Sequence, residues 1–370
     1  MAPRILFLFS DTGGGHRASA NAIIEGLGLE YGETITTAMV DILRDYTPSP
    51  LRYSPEIYPP LSRVKGAWKM SFDASNGPRR VRALEQLSSP YLRRYLRRLI
   101  AENPADLIVS VHPLASAMMP RALRGNPVPF VTVVTDLVSI HAFWYAPGAD
   151  AIIVPTDQAR NRGVRIGADP ARITVIGQPV SPRFADVTAS KADARAELGW
   201  ESDRPVVLLV GGGDGMGPVR RVARAINKAA LPVTLVAVCG RNEDLQKDLG
   251  ELPWQIPHHI YGFTDQMPRF MRAADILLTK AGPGSISEGF ISGLPIVMYA
   301  CLPGQETGNV DYVLDGQAGI WAPHTDLVVD AVRTLATDDV RRAAMAAASA
   351  RLARPDAARD IGMALAEYVL

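Results

Sequence analysis

The sequence predicts an α/β protein built from two Rossmann-like, doubly wound parallel sheets that face a central cleft. Three observations carry that expectation. Short, almost wholly apolar, β-branched runs recur along the chain, helix-like amphipathic stretches separate them, and each half holds six such runs. Strands that are apolar at every position, not at alternate ones, are buried on both faces, as parallel strands covered by helices are. At 370 residues the chain has room for two domains of roughly 100–200 residues each.

The expected strands of the first half are Ile5–Phe9, Ile35–Val40, Leu107–Val111, Phe130–Val134, Ala151–Val154 and Ile173–Ile176. Those of the second half are Val206–Val210, Val233–Val238, His259–Tyr261, Ile276–Thr279, Ile296–Tyr299 and Gly319–Trp321. Two prolines and a glycine in Gly177–Arg183 interrupt the pattern, which resumes near Lys191, so the domain boundary is expected at residue 182. The alanine-rich tail after Asp338 carries helical spacing, broken once at Pro355.

Composition removes several function classes. The net charge of +1 excludes a strongly basic nucleic-acid binder, and 47% apolar with 21% charged residues is ordinary globular usage. Cys239 and Cys301 share no motif, which leaves neither a disulfide scaffold nor a cysteine zinc site and fits a reducing cytoplasm. The longest uncharged stretch, Gly289–Gln305, is 17 residues and contains three glycines and two prolines. It is too short and too broken to cross a bilayer. Charge is nevertheless uneven. Between Leu51 and Ile100 eleven Lys or Arg stand against three acids, with Arg93, Arg94, Arg97 and Arg98 clustered and Trp68 and Phe72 nearby. Such a segment is either a solvated basic helix or a surface that meets anionic lipid headgroups while its apolar side chains enter the interface.

Three glycine-rich loops follow strands. The first, Ser10-Asp11-Thr12-Gly13-Gly14-Gly15-His16-Arg17, lacks the Walker Lys-Ser/Thr and the Gly-x-Gly-x-x-Gly spacing. Gly14 and Gly15 let a ligand approach backbone N–H groups, and His16 stands at the helix start, as either a helix cap or a base. The second, Gly211–Gly217, includes Gly212, Gly213, Met216 and Gly217 at the equivalent place in the other half, and suits a diphosphate or simply a tight turn. The third runs from Thr279 to Glu288 and on to Asn309. In it Glu288 can accept from two vicinal hydroxyls or form a capping box with Ser285, and Gln305, Glu306 and Asn309 offer mixed donors and acceptors to sugar hydroxyls.

Together with Cys239-Gly240-Arg241-Asn242, these loops resemble the monogalactosyldiacylglycerol synthases and related bacterial diacylglycerol glycosyltransferases, and more distantly the peptidoglycan N-acetylglucosaminyltransferase acting on a lipid-linked sugar. The resemblance implies a GT-B fold with an N-terminal acceptor domain (1–182), a C-terminal nucleotide-sugar domain (183–351) and a final helix (about 352–370) returning to the first domain. It implies inverting hexosyl transfer from a UDP-sugar to diacylglycerol, with galactose favoured over glucose and no bound metal or other cofactor. By matching motifs, Glu288 would hold the ribose, Gly212–Gly217 and Gly282, Gly284 and Ser285 the diphosphate, Gln305, Glu306 and Asn309 the hexose, and the segment with Phe263 and Thr264 the uracil.

His16 would be the general base or its close partner, with Asp136, at the end of a first-half strand, the competing base. No Asp-x-Asp stands beside the donor motifs, so Lys280, and next Arg241, are the candidate cations for the leaving group. His112, His141 and Trp144 could line the acceptor side, or simply serve core and turns. The expected partners are a UDP-sugar, diacylglycerol and anionic membrane lipids, with the protein peripheral on the cytoplasmic face. The alternatives are a UDP-N-acetylglucosamine-type transferase on another lipid, a UDP-sugar epimerase with a soluble substrate, and a binding module that kept the donor loops.

Overall fold

The computed structural model describes residues 2–12, 14–57 and 66–370. Gly13 of the first glycine loop, and Arg63 and Lys65 of the basic segment, lie outside the described residues. Two compact units are formed: Met1–Pro182 with Leu302–Gly308 and Asp356–Leu370, and Arg183–Cys301 with Asn309–Pro355.

The first unit holds β1 (Arg4–Phe9), β2 (Thr36–Asp41), β3 (Leu107–Ser110), β4 (Phe130–Val133), β5 (Ala151–Val154) and β6 (Ile173–Val175) in one parallel sheet of order β2-β1-β3-β4-β5-β6. The second holds β7 (Val206–Val210), β8 (Thr234–Val238), β9 (His258–Tyr261), β10 (Ile276–Lys280), β11 (Ile296–Ala300) and β12 (Gly319–Trp321) in the order β12-β11-β10-β7-β8-β9. All twelve expected strands form, each end within one residue. Their near-total burial explains why: β1, β3, β4, β7 and β8 have almost no exposed side chain, because helices cover both faces.

In each sheet the first strand in sequence has neighbours reached by connections running in opposite directions. β1 lies between β2 and β3, and β7 between β8 and β10. Loops leaving the carboxyl ends of such strands diverge, and ligands of open α/β sheets bind in the opening. The loop Ser10–Gly14 and the turn at His112 leave β1 and β3. The loop Gly211–Gly217 and the segment after Lys280 leave β7 and β10.

The final helix, Ala357–Ala366, packs on the helix Gly15–Tyr31 of the same unit. Gly26 permits this contact, since a Cβ there would stand 2.8 Å from the Ala358 carbonyl oxygen.

Candidate active site

In the first unit the loop after β1 is tied at both ends. Asp41 accepts from the Asp11 N–H at 3.2 Å, and Arg17 donates to Asp11 through Nε at 2.8 Å and Nη2 at 2.6 Å. Gly14, left-handed at φ 75°, is the N-cap of the helix Gly15–Tyr31, so His16 emerges in its first turn. His16 is half-buried, and its Nδ1 lies 2.9 Å from Thr135 Oγ1. Gln178 Nε2 in turn donates to the Thr135 carbonyl at 3.2 Å.

The His16 ring meets His112 edge to face at 4.7 Å and lies 6.0 Å from Trp144. Desolvation lowers the His16 pKa to about 4, against opposing pulls from the Val111 carbonyl and the Asp11 carboxylate. At neutral pH it is therefore an uncharged imidazole, able to accept a proton. His112, buried beside it with Nε2 3.0 Å from Thr12 Oγ1, is also held well below the usual histidine range, by burial first and by His16 second.

Asp136 is buried, and both its oxygens are occupied. Trp144 Nε1 donates to Oδ2 at 2.7 Å and Gln305 Nε2 to Oδ1 at 3.0 Å. Burial raises the Asp136 pKa while these two donors oppose the rise. Gln305 belongs to the segment Leu302–Gly308, whose Gly308 N–H donates to Ser139 Oγ at 2.8 Å. Glu306 is buried and folds back, accepting from the Leu302 N–H at 2.8 Å. The expected sugar-facing trio is thus divided. Gln305 and Glu306 belong to the first unit and Asn309 to the second, where its Nδ2 donates to the Ala281 carbonyl at 2.9 Å.

In the second unit the loop Gly211–Gly217 is locked by backbone-on-backbone packing. A Cβ on Gly215 would stand 2.2 Å from the Cys239 carbonyl oxygen, and one on Gly240 2.4 Å from that of Gly213. The loop surface faces two cations. The Lys280 side chain approaches Gly212, and Arg241 approaches Gly213 while pairing with Asp214 at 2.7 Å. Arg241 also lies 5.4 Å over the ring of Phe263, which is mostly exposed. Met216 and Gly217 complete the turn into the helix Val219–Lys228, and Met216 is half-buried.

Pro283 begins the helix Pro283–Ile291 with Gly282 as its N-cap, and among the described residues no atom outside this turn lies within 4 Å of a Cβ built on Gly284. That open first turn leaves the N–H groups of Gly284 and Ser285 available to an anion. The capping box of Ser285 with Glu288, the alternative to a hydroxyl-binding role, does not form. Proline at the first helical position starts the helix earlier, so Ser285 is already inside it. The Glu288 carboxyl has no hydrogen-bond partner among the described residues, and desolvation raises its pKa to about 7. The helix that follows Phe263 and Thr264 begins at Met267, after a turn in which Thr264 Oγ1 accepts the Gln266 N–H at 3.1 Å.

The basic segment forms the helices Ala67–Ser75 and Pro78–Glu102. Arg93, Arg94, Arg97 and Arg98 are all exposed, whereas Leu92, Leu96 and Leu99 face the core. One expectation is overturned. Phe72 is not free to enter a membrane: it is buried, edge to face with His141 at 5.0 Å and packed on Gly304. Trp68 is half-buried. Among the described residues of these two helices, the most exposed large apolar side chains are instead Met70 and Leu87, 72% and 79% exposed. His141 caps a turn, its Nδ1 accepting from Phe143 N–H at 3.1 Å and its Nε2 lying 3.2 Å from Ser75 Oγ. No described helix is long and apolar enough to cross a membrane. No group of three His, Cys, Asp or Glu among the described residues is placed to hold a metal ion.

Comparison with known proteins identifies this arrangement. Residues 16–180 match the family model of monogalactosyldiacylglycerol (MGDG) synthase, and residues 206–361 that of the glycosyltransferase family 28 C-terminal domain. The probable monogalactosyldiacylglycerol synthase 2, chloroplastic, of Oryza sativa subsp. japonica is 38% identical over 97% of this chain and 79% of its own. The chain belongs to the monogalactosyldiacylglycerol synthase family. Monogalactosyldiacylglycerol synthase 2, chloroplastic, of Arabidopsis thaliana is 36% identical over 96% of this family member and 79% of its own length.

Among solved structures, Acinetobacter baumannii MurG superposes with a TM-score of 0.65 at 16% identity, covering 99% of both chains. Anabaena Alr3699/HepE in complex with UDP-glucose gives 0.59 at 16% identity, covering 99% of this chain and 98% of that one. The fold is GT-B and the family member is a glycosyltransferase. UDP-N-acetylglucosamine 2-epimerases share the fold at similar scores, 0.61 at 14% identity for the Neisseria meningitidis enzyme covering 98% of this chain and all of its own. The fold alone therefore does not separate transferase from epimerase; membership of the synthase family does.

Sequence reading missed the supports of the site. Thr135, Gln178, Thr12 and Ser139 hold His16, His112 and the Gln305 segment. Their one visible signal was polarity directly after wholly apolar strands, as in Val134-Thr135-Asp136.

Proposed function

We propose that this protein transfers galactose from UDP-galactose to the free hydroxyl of 1,2-diacylglycerol, inverting the anomeric centre to give a β-glycolipid, without a metal ion, on the cytoplasmic face of a membrane. The observation that carries this reading is the uncharged, half-buried His16 at a helix start after β1, in a chain 36–38% identical to enzymes named for this product.

Inverting transfer is a single displacement. His16 takes the proton of the acceptor hydroxyl as its oxygen forms the bond to the anomeric carbon, and the bond from that carbon to the diphosphate oxygen breaks with its electron pair. A positioned base contributes roughly 10²–10⁴-fold. The leaving UDP is met by the backbone N–H groups of Gly212–Gly217, by the first turn at Gly284 and Ser285 and by Lys280. Fixed dipoles and one cation of this kind stabilise developing charge without reorganising. Glu288 holds the ribose, and Gln305 meets the hexose.

The basic helix Pro78–Glu102, with Leu87 and Met70 outward, engages anionic lipid. Each cation near such a surface contributes about 1 kcal/mol, screened over ~8 Å at physiological salt.

The test is an assay of purified protein on diacylglycerol vesicles with UDP-galactose, UDP-glucose and UDP-N-acetylglucosamine, with and without chelator, and with the anomer read by NMR. A β-galactolipid formed in chelator is expected. An α-linked product, or turnover of a UDP-sugar without any acceptor, overturns the proposal. Replacing Arg93, Arg94, Arg97 and Arg98 together with Gln should weaken sedimentation with phosphatidylglycerol vesicles while sparing UDP binding. Unchanged sedimentation would move the lipid surface elsewhere.

A further inference from the structure

We infer that Asp136 is a positioning residue that decides which end of the Gln305 amide is offered to the sugar, so that this position presents only a hydrogen-bond acceptor and selects a sugar hydroxyl that donates to it. The inference rests on the reading that Gln305 meets the hexose, and goes beyond it in assigning the polarity of that contact and its cause.

An indole N–H can only donate, and an ionised carboxylate can only accept. Trp144 Nε1 donates to Asp136 Oδ2 at 2.7 Å, which leaves Oδ1 to accept the Gln305 Nε2 at 3.0 Å. Two donors on two oxygens is the arrangement an ionised carboxylate requires. The Gln305 amide is therefore turned one way, with its Oε1 on the far side. That oxygen is buried and has no hydrogen-bond partner among the described residues. A buried acceptor left unpaired is costly, and a ligand hydroxyl restores the missing bond.

The backbone around Gln305 does not supply another way to turn the amide. Gly308 N–H is held by Ser139 Oγ at 2.8 Å, Leu302 N–H by Glu306 Oε2 at 2.8 Å, and a Cβ on Gly304 would already stand 3.0 Å from the Phe72 ring. Among the described residues, only the hydrogen bond that Gln305 donates to Asp136 distinguishes the two ends of the amide.

Exchanging the polarity at constant shape tests this. In Asp136→Asn the new amide must keep its oxygen toward the Trp144 N–H, so its NH2 faces Gln305. The Gln305 amide then turns its oxygen inward and offers NH2 to the sugar. Gln305→Glu alone sets two carboxylates together. Combined, Asp136→Asn with Gln305→Glu restores a donor against an acceptor and again presents an oxygen.

The measurements are kcat and KM for UDP-galactose on diacylglycerol vesicles, with UDP affinity by calorimetry, for Gln305→Ala, both single variants and the double variant. Each single variant should raise KM for UDP-galactose at least tenfold with UDP affinity within twofold of wild type. The double variant should recover at least threefold over both singles.

A double variant no better than the singles overturns the inference. So does an Asp136→Asn that loses kcat a hundredfold at unchanged KM, which would make Asp136 the base. Gln305→Ala with wild-type KM overturns the underlying reading that Gln305 meets the sugar. Gln305→Ala impaired beside a wild-type-like Asp136→Asn overturns the inference alone.

Discussion

The loops after β1 and β7 occupy the same place in their respective sheets, and they deliver opposite things. The first delivers side chains: Asp11 tied to Arg17, Thr12 beside His112, and His16 as an uncharged imidazole in the first turn of a helix. The second delivers backbone: Gly212, Gly215 and Gly217 all have positive φ, and Gly215 is pressed on Cys239 where no side chain fits. One opening of a doubly wound sheet thus suits proton transfer, and the other suits a polyphosphate. The shared fold supplies the place, and the local residues supply the chemistry.

The largest expected effect is at His16. His16→Ala should lower kcat by roughly 10²–10⁴-fold and leave UDP affinity nearly unchanged. Because the base must be uncharged and its pKa lies at about 4, wild-type kcat/KM should fall on the acid side through that region and not near the usual histidine value of ~6.5. Activity within threefold of wild type would remove the division of labour between the two loops.

Next is Gly215→Ala. The new methyl would stand 2.2 Å from a carbonyl oxygen at φ +57°. Overpacking and a left-handed non-glycine residue together should destabilise the protein by about 2–4 kcal/mol in denaturant unfolding and weaken UDP binding. Wild-type stability would show that the second loop is not locked.

Glu288 gives a smaller, pH-dependent effect. Its folded pKa, about 7, is raised above the ordinary glutamate value. The stability it contributes is therefore present below about pH 4.5 and declines as pH rises towards 7. Ribose hydroxyls donate to the ionised form, so UDP affinity should strengthen from pH 6 to 8 in wild type more than in Glu288→Gln. Glu288→Ala should weaken UDP at least tenfold at pH 8, given ~1.5–3 kcal/mol for hydrogen bonds to a charged group. Parallel pH profiles for wild type and Glu288→Gln would reassign the ribose contact.

The smallest effect sharpens the contrast with Gly215. Among the described residues, a Cβ on Gly15 meets no atom within 4 Å outside its own turn of helix, and alanine is the better helix former. Gly15→Ala should therefore leave stability unchanged or raise it by up to about 1 kcal/mol in thermal melting. A clear loss would mean that the first loop is as tightly packed as the second.

Much of this molecule was written locally. Twelve apolar runs specified twelve strands, because a run buried on both faces needs no distant information to be recognised. Glycines followed by His16, and again by a helix beyond Gly217, marked the two glycine-rich loops after β1 and β7 for the same reason. What tertiary structure alone decided depends on groups far apart in the chain. Asp136 is matched to Gln305 across 169 positions, and His16 to Thr135 across 119. Phe72, which its own segment presents as a membrane aromatic, is buried because His141 and Gly304 come to meet it. Glu288 lost its capping partner to the proline that starts its helix, and its pKa is set by the desolvation that packing imposes. Hydrogen-bond polarity, burial and charge state belong to a residue's neighbours in space, and those the order of residues along a chain does not display.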